Sequence, residues 1–335
     1  MRTHADLDPE APPPVVPSQK IRYLAYLFPV LFFPILLIGL AVVIVPSRWF
    51  SLRSGNIYYS DLGYGAELRN QSCEILIYGD SSAMVGIEPA VVQQRTGLTT
   101  CNIAEFEGMT LVNETVLVDD FLAHNPRPRF IVFLYSPEDL YLPKSWDKGV
   151  SNFEGISYLI KNRPLVEVFR RMGEHPIEFL SWAELGMRMV LTHLRTAPIS
   201  SEAQHLRDRH MGRLPVPEDT RADCSSVGPP FDPPDPAWIA SLRAHYGVDG
   251  TRVLVDATPT LACDPGLAFY QKHLDPLIDN SPYLPIDISN YSSDGRLHAN
   301  SAGVITLSNM VASQIEATHP DQTASAIQIA PSGGR

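Results

Sequence analysis

Short apolar runs alternate with amphipathic segments along most of the chain after residue 72. The apolar runs predict strands at residues 74–78, 99–103, 129–135, 252–256 and 285–289. Apolar residues at helical spacing, with Gly97 as one helix stop, predict helices at residues 88–96, 108–124, 266–277 and 302–318. Strands that alternate with helices predict an α/β domain with a central, mostly parallel sheet and helices on both faces.

A longer apolar segment precedes this domain. Residues 23–46 carry no charge and are numerous enough to cross the ~30 Å hydrocarbon layer as a helix. We therefore predict a cytoplasmic, disordered tail at 1–21, a transmembrane helix at 22–47 and a connector at 48–72. A cleaved signal peptide is the alternative, but its apolar core is shorter, and the sequence Val43-Ile-Val-Pro-Ser47 is a poor cleavage site.

Flanking charges do not decide the orientation of this helix, because basic residues stand on both sides of it. The simplest arrangement leaves the short N-terminus in the cytoplasm. It predicts a single-pass protein of the bacterial inner membrane with its large domain in the periplasm.

The strand–helix alternation is interrupted over residues 140–236. Residues 155–195 have a helical pattern, whereas 196–236 are rich in proline and polar residues and predict loops. We interpret 140–236 as an insertion that forms a cap or a partner surface; further helical packing is the alternative. The polar segment 319–335 predicts a disordered tail.

Charge and cysteine usage narrow the function classes. The net charge of −11 argues against nucleic-acid binding, which requires a basic face. The cysteines Cys73, Cys101, Cys224 and Cys263 have no metal-ligand spacing, so neither a metal nor another cofactor is expected. In an oxidising compartment Cys224 and Cys263 could form a disulfide; the alternative is that all four are free.

Two distant segments carry candidate chemistry. The predicted strand Ile75–Tyr78 runs into Gly79-Asp80-Ser81-Ser82, and Asp294-Gly-Arg-Leu-His298 follows more than 200 residues later. A serine at a strand end, with a histidine to take its proton and an aspartate to orient that histidine, is what nucleophilic acyl chemistry requires. Ser82 is the alternative nucleophile, and both serines could instead cap the following helix.

These segments resemble the SGNH/GDSL hydrolase superfamily. The stretch Gly79-Asp-Ser-Ser-Ala-Met-Val-Gly-Ile-Glu-Pro89 is especially similar to its membrane-anchored bacterial envelope branch, and the resemblance extends over residues 73–314. It implies a three-layer domain at 73–318, with Ser81 as nucleophile, His298 as general base and Asp294 as orienting carboxylate. The continuation Ala-Asn-Ser-Ala-Gly303 after His298 resembles the start of the family's last helix.

The sequence departs from the family at two places. Three residues, not two, separate Asp294 from His298, and Asp287 is the fallback carboxylate; Asp80 is expected to shape the turn. For the oxyanion hole the resemblance implies the Ser81 N–H and a second-block donor, Asn102 or Gly108. At the third block, Ser136-Pro-Glu-Asp replaces Gly-x-Asn-Asp, so Ser136 stands where the family's block begins.

The leading hypothesis is an acyltransferase or esterase that acts on acyl groups, expected to be acetyl, of envelope polysaccharide, beside a membrane-bound O-acyltransferase. The alternatives are a membrane-tethered lipase or thioesterase, with an apolar groove from residues 155–195, and a catalytically lapsed scaffold that binds glycan or the acyltransferase. If the Ser81 hydroxyl and the His298 ring cannot come within hydrogen-bond reach, the enzyme hypotheses weaken sharply.

Overall fold

The computed structural model describes residues 19–45, 47, 49–50, 64–105, 114–141, 149–193, 206–215, 233–291 and 298–318. The strands within them are β1 Ile75–Gly79, β2 Thr100–Asn102, β3 Phe130–Tyr135 and β4 Arg252–Ala257. The first helices are α1 Gln19–Ile44, α2 Tyr64–Glu67, α3 Ser81–Gly86, α4 Pro89–Thr96, α5 Val116–Leu122 and α6 Gly149–Asn162. The remaining ones are α7 Leu165–Glu174, α8 Pro176–His193, α9 Leu206–Arg209, α10 Pro236–Tyr246, α11 Leu267–Leu274 and α12 Ser301–Thr318.

The sheet is entirely parallel within the described residues and has the order β2-β1-β3-β4. Ile75 pairs with Thr100 on one side and with Phe130 on the other. The alternation of strands and helices predicted from the apolar pattern is confirmed, and Gly97 ends α4 in the left-handed conformation, at φ 74°.

The strand predicted at 285–289 is wrong. Ile286 makes only an isolated parallel bridge with Leu261, and a 3₁₀ turn then begins at Ile288. Pro285 has no N–H to donate to a ladder, and the side chain of Asp287 caps the turn instead.

Alternating side chains of the strands build a core on each face of the sheet. Ile75 and Ile77 pack on the face covered by α3, α4 and α12, which we call the serine face. Leu76 and Tyr78 pack on the opposite face with α5 to α8, α10 and α11. The two central strands β1 and β3 are buried on both sides, so their runs are apolar throughout rather than alternating.

The helix α1 is long and apolar enough to cross a membrane. Within Arg22–Ile44, a window of mean hydropathy 2.9 is only 6% buried, whereas the core helix of a soluble domain is mostly buried. The end of this helix does not stand apart from the domain, because Ala41 and Val45 are buried against α8. A Cβ on Gly186 would lie 2.6 Å from Val45 Cγ2, so this glycine permits the close approach of the two helices.

Part of the predicted connector belongs to the domain. Phe50 and Ala66 are buried in the same core as the strands, and α2 packs against α5. Burial of these apolar groups ties residues 49–50 and 64–72 to the domain core. Residues 1–18 and 319–335, predicted to be tails, lie outside the described residues.

The described insertion has two parts. Residues 155–195 were predicted to be helical, and α6, α7 and α8 confirm this; their cores pack on the domain. Residues 206–215 include the short helix α9 where loops were predicted.

Cysteine pairing differs from the expectation. Cys73 and Cys101, one just before β1 and one in β2, form a disulfide with their Cα atoms 5.7 Å apart. Cys263 is also disulfide-bonded. The alternative in which all four cysteines are free is therefore wrong. Cys224 lies outside the described residues, so its pairing with Cys263 stays a prediction.

Candidate functional site

The serine pair lies at the carboxyl edge of the sheet. Strand β1 ends at Gly79 and α3 begins at Ser81, so only Asp80 separates them. A Cβ on Gly79 would lie 1.7 Å from the carbonyl oxygen of Leu134 on β3, and no other residue fits there. This close packing fixes the turn and places Ser81 where the sequence predicted it.

Asp80 organises the turn, as expected from the sequence. Its Oδ1 accepts hydrogen bonds from the Ser82 N–H at 2.8 Å and the Ser82 hydroxyl at 2.5 Å, which caps α3. The alternative in which the serines cap the helix is therefore not what the structure has. Among the described residues the Ser81 hydroxyl donates to none. The Ser82 hydroxyl is thus committed to Asp80, and Ser81 is the better candidate nucleophile.

A second carboxyl group, not singled out from the sequence, lies beside Asp80. Asp139 ends the 3₁₀ turn Pro137–Asp139 that follows β3. Burial raises the pKa of Asp139 well above its usual range, and the charge of Asp80 and a hydrogen bond with it raise it further. This environment favours the neutral form of the Asp139 carboxyl group. The sequence feature that could have identified Asp139 is its place as the last residue of the third block, Ser136-Pro-Glu-Asp.

Ser136 serves this carboxyl pair. Its N–H donates to Asp80 Oδ2 at 2.7 Å, and its hydroxyl donates to Asp139 Oδ2 at 3.1 Å. Both donors of this buried residue are thus used within the turn. Ser136 positions Asp80 and leaves no hydrogen for a developing oxyanion.

Asn102 likewise holds helix α3 in place. Its Nδ2 donates to the carbonyl oxygens of Ala83 at 2.9 Å and Ile87 at 3.2 Å, and its Oδ1 accepts from the Ala104 N–H at 3.0 Å. Both amide hydrogens therefore hold α3 against β2. Of the predicted oxyanion donors, the Ser81 N–H remains, and Gly108 lies outside the described residues.

The segment that contains His298 packs on helix α3. His298 is half-buried, its Nε2 is a buried atom, and α12 begins three residues later. The next residue, Ala299, pairs with Tyr291 and lies so close to α3 that a Cβ on Gly86 would be 3.9 Å from its Cβ. No hydrogen bond joins the hydroxyl of Ser81 to His298. The structure thus brings both segments to α3 without closing that contact.

The two candidate orienting carboxylates have different outcomes. Asp294 lies outside the described residues. Asp287 is exposed and its Oδ1 accepts from the Ser289 N–H at 2.8 Å. Hydrogen bonds from Ser289 lower the pKa of Asp287. This fallback residue therefore serves as the cap of its own turn.

A further titratable group, missed from the sequence, lies in β4. Burial raises the pKa of Asp256 to about 7, and the charge of Asp279 adds to this, against a hydrogen bond from Gln314 Nε2 to Oδ1 at 2.8 Å. Asp256 pairs in register with Leu134, one strand away from the Asp80 turn. Such a perturbed carboxyl near a sheet's carboxyl edge is typical of functional sites.

Part of the insertion, residues 206–215, packs beside helix α3. Arg207 donates to the Ala104 carbonyl oxygen at 2.7 Å and pairs with the buried Glu105 at 3.1 Å. Further along, Arg213 Nε donates to the Val85 carbonyl oxygen at 2.9 Å. Residues 206–215 therefore lie against both β2 and α3.

The apolar groove that the lipase alternative requires beside Ser81 stays a prediction, because in the described residues α6 to α8 pack away from α3. Their buried side chains, such as Phe153 and Trp182, pack on the face of the sheet opposite to Ala83 and Met84 of α3. A cavity of about 430 Å³ is also on that opposite face. It is lined by Glu114, Thr115, Asp119, Trp238, Ser241, Leu242, His245 and Tyr246. None of the predicted site residues that the structure describes borders it.

Within the described residues, no group of three or more His, Cys, Asp or Glu side chains is arranged to hold a metal ion. Comparison with known protein families, with curated proteins and with solved structures finds no match to this chain.

Proposed function

We propose that this chain is a membrane-anchored, SGNH-like serine acyltransferase or esterase that acts on acyl groups, expected to be acetyl, of a cell-envelope polysaccharide. One observation carries the proposal: the helix that starts with Ser81 is also the helix on which the segment of His298 packs. The order of Ser81, Asp294 and His298 along the chain and the parallel sheet agree with the three-layer fold that the sequence resemblance implies.

The proposed reaction begins with attack of the Ser81 hydroxyl oxygen on the acyl carbonyl carbon. His298 takes the hydroxyl proton and gives it to the departing sugar oxygen, which leaves an acyl group on Ser81. Water then releases the acyl group in an esterase, and a second sugar hydroxyl accepts it in a transferase. Asp294 would hold the imidazole in the required tautomer.

Backbone groups would stabilise the oxyanion in this proposal. Asn102 and Ser136 use their donors to hold α3 and Asp80, so the Ser81 N–H and a donor near Gly108 are the candidates. Loss of one such donor costs roughly 10²–10³ in rate.

The proposed location is the inner membrane, with the domain in the periplasm. A helix able to cross a membrane supports the anchor, and the disulfide of Cys73 and Cys101 favours an oxidising compartment. There the domain would meet polysaccharide and a membrane-bound O-acyltransferase as partner.

A catalytically lapsed scaffold is the second candidate. It is favoured by a specific observation, namely that no hydrogen bond joins the Ser81 hydroxyl to His298. Against it, catalytic hydrogen bonds in substrate-free enzymes are often long and tighten only when substrate binds.

Hydrolysis of p-nitrophenyl acetate by the full-length protein in detergent distinguishes the two. We expect Ser81→Ala to lower kcat by several orders of magnitude and Ser82→Ala, the matched neighbour, to retain activity. A wild-type rate equal to that of Ser81→Ala would support the scaffold.

A further inference from the structure

Helix α7 presents an uncovered apolar face. Leu165 and Phe169 are each 61% exposed, and Val166 is 77% exposed. At 100° per residue these three positions fall on one side of the helix. Arg170 and Glu174 pair with each other at 2.7 Å on the neighbouring polar side. The helix is therefore strongly amphipathic, with its apolar side turned away from the domain.

The next helix extends this surface. Ile177 is 75% exposed and Leu191 66% exposed, so apolar side chains are uncovered near both ends of α8. Leu180 between them is 40% exposed. We call α7 and α8 together the collar. The opposite side of α8 contacts α1 through Gly186.

The length of α1 shows where the collar lies. From Leu37 onward, α1 packs against the domain core, through Leu37, Ile38, Ala41, Val42, Ile44 and Val45. Only residues 22–36 remain clear of it, and 15 residues of helix rise about 22 Å. This is shorter than the ~30 Å hydrocarbon layer. A helix that spans the layer must therefore carry the α8 contact into it.

We propose that the collar is embedded in the leaflet from which α1 emerges, with its exposed apolar side chains among the lipid acyl chains. The inference rests on α1 being a membrane span and is independent of the chemistry at Ser81. It seats the domain on the bilayer at a fixed height and orientation, instead of suspending it from one helix.

The occupant is lipid hydrocarbon, not an anionic headgroup. Over residues 165–191 three arginines are offset by four glutamates, and the whole chain has a net charge of −11. Apolar burial rather than attraction to anionic lipid must then hold the collar. Helix α8 also joins this exposed side of α7 to the helix that enters the membrane, because α8 contacts both α7 and α1.

Spin labelling of the full chain in phosphatidylcholine vesicles tests this. Free cysteines are absent from the described residues, so a nitroxide can be attached to a single introduced cysteine. The variants are Val166→Cys on the apolar side, Glu174→Cys on the polar side as matched control, and Val30→Cys on α1 as the membrane reference. All three positions are exposed, so the substitutions do not disturb the core.

At each position we compare the accessibility of the nitroxide to oxygen, which concentrates in hydrocarbon, with its accessibility to a water-soluble nickel chelate. The oxygen-to-nickel ratio is therefore high in the membrane and low in water. We expect Val166→Cys to resemble Val30→Cys, with a high oxygen-to-nickel ratio, and Glu174→Cys to show a low one. Replacing half of the lipid with phosphatidylglycerol should leave the ratios unchanged.

Three results would overturn the inference. A low ratio at position 166 with a high one at position 30 leaves the anchor intact but places the collar in water. Low ratios at both positions remove the anchor as well. Shielding of position 166 from both reagents means that protein, not lipid, covers the collar.

Discussion

The hydroxyl of Ser82 donates a 2.5 Å hydrogen bond to Oδ1 of Asp80. This bond separates the roles of two adjacent serines that the sequence alone leaves interchangeable. Ser82 holds the capping carboxylate in place, while the hydroxyl of Ser81 stays uncommitted among the described residues. The turn therefore uses Ser82 for structure and leaves the hydroxyl of Ser81 available for the proposed chemistry.

Ser82→Ala should destabilise the protein without abolishing acyl chemistry. Hydrogen bonds to charged groups contribute about 1.5–3 kcal/mol, so the free energy of unfolding should fall by roughly that amount. Urea denaturation of the detergent-solubilised protein measures it. Ser81→Ala is the matched control, and an equal loss in that variant would contradict the division of roles.

Stability should depend on pH through Asp256. Its pKa is about 7 in the folded protein, against an ordinary value of 3.8, so the folded state binds the proton more tightly. The carboxyl therefore does not oppose folding below about pH 4, and its contribution to stability declines as pH rises towards 7. Three pKa units correspond to roughly 4 kcal/mol for this fully buried group.

Asp256→Asn removes this titration. Relative to wild type, the variant should gain roughly 4 kcal/mol between pH 4 and pH 8, measured by denaturation at each pH. Parallel pH profiles for the two proteins would show that Asp256 has an ordinary pKa.

The Cys73–Cys101 disulfide should stabilise the edge of the sheet. It closes a loop of 28 residues, for which chain entropy predicts a contribution on the order of 3 kcal/mol. The double variant Cys73→Ser, Cys101→Ser should lose about that much in urea denaturation. If mass spectrometry of an unreduced tryptic digest of the wild-type protein does not show peptides linked through Cys73 and Cys101, the pairing itself is wrong.

The fold was largely predictable from sequence because apolar runs such as Phe130–Tyr135 are short, continuous and bounded by turn residues. Three features were not predictable. The α1–α8 contact depends on Gly186 facing Val45, and the uncharged sequence of residues 23–46 does not mark which side of α1 packs. The Cys73–Cys101 disulfide depends on the register between β1 and β2. Pro285 excludes a strand at residues 285–289 only when the position of that segment relative to the sheet is known.

The site was predictable to a lesser extent. Ser81 and His298 could be singled out because each stands beside an element boundary with a recognisable motif. The amide of Asn102 was expected at the oxyanion, but whether it bonds to α3 or to a ligand depends on where Ala83 and Ile87 lie. The raised pKa of Asp139 comes from burial beside Asp80, and this proximity depends on the pairing of β1 with β3.

Asp294→Asn should lower acyl transfer by as much as ~10⁴-fold, since an amide cannot hold the imidazole tautomer that a serine nucleophile requires. Asp287→Asn is the matched control, because that carboxylate caps its own turn, and it should retain activity. The measurement is kcat on p-nitrophenyl acetate with folding checked by circular dichroism. Equal rates in both variants would leave Ser81 and His298 as a dyad.

Covalent capture by a fluorophosphonate probe tests the central claim most directly, because the probe reacts only with a serine that has been activated as a nucleophile. We predict one adduct on the full-length protein, mapped by mass spectrometry to Ser81, retained in Ser82→Ala and lost in His298→Ala. Absence of any adduct on the folded wild-type protein, or an adduct on Ser82, would contradict this account.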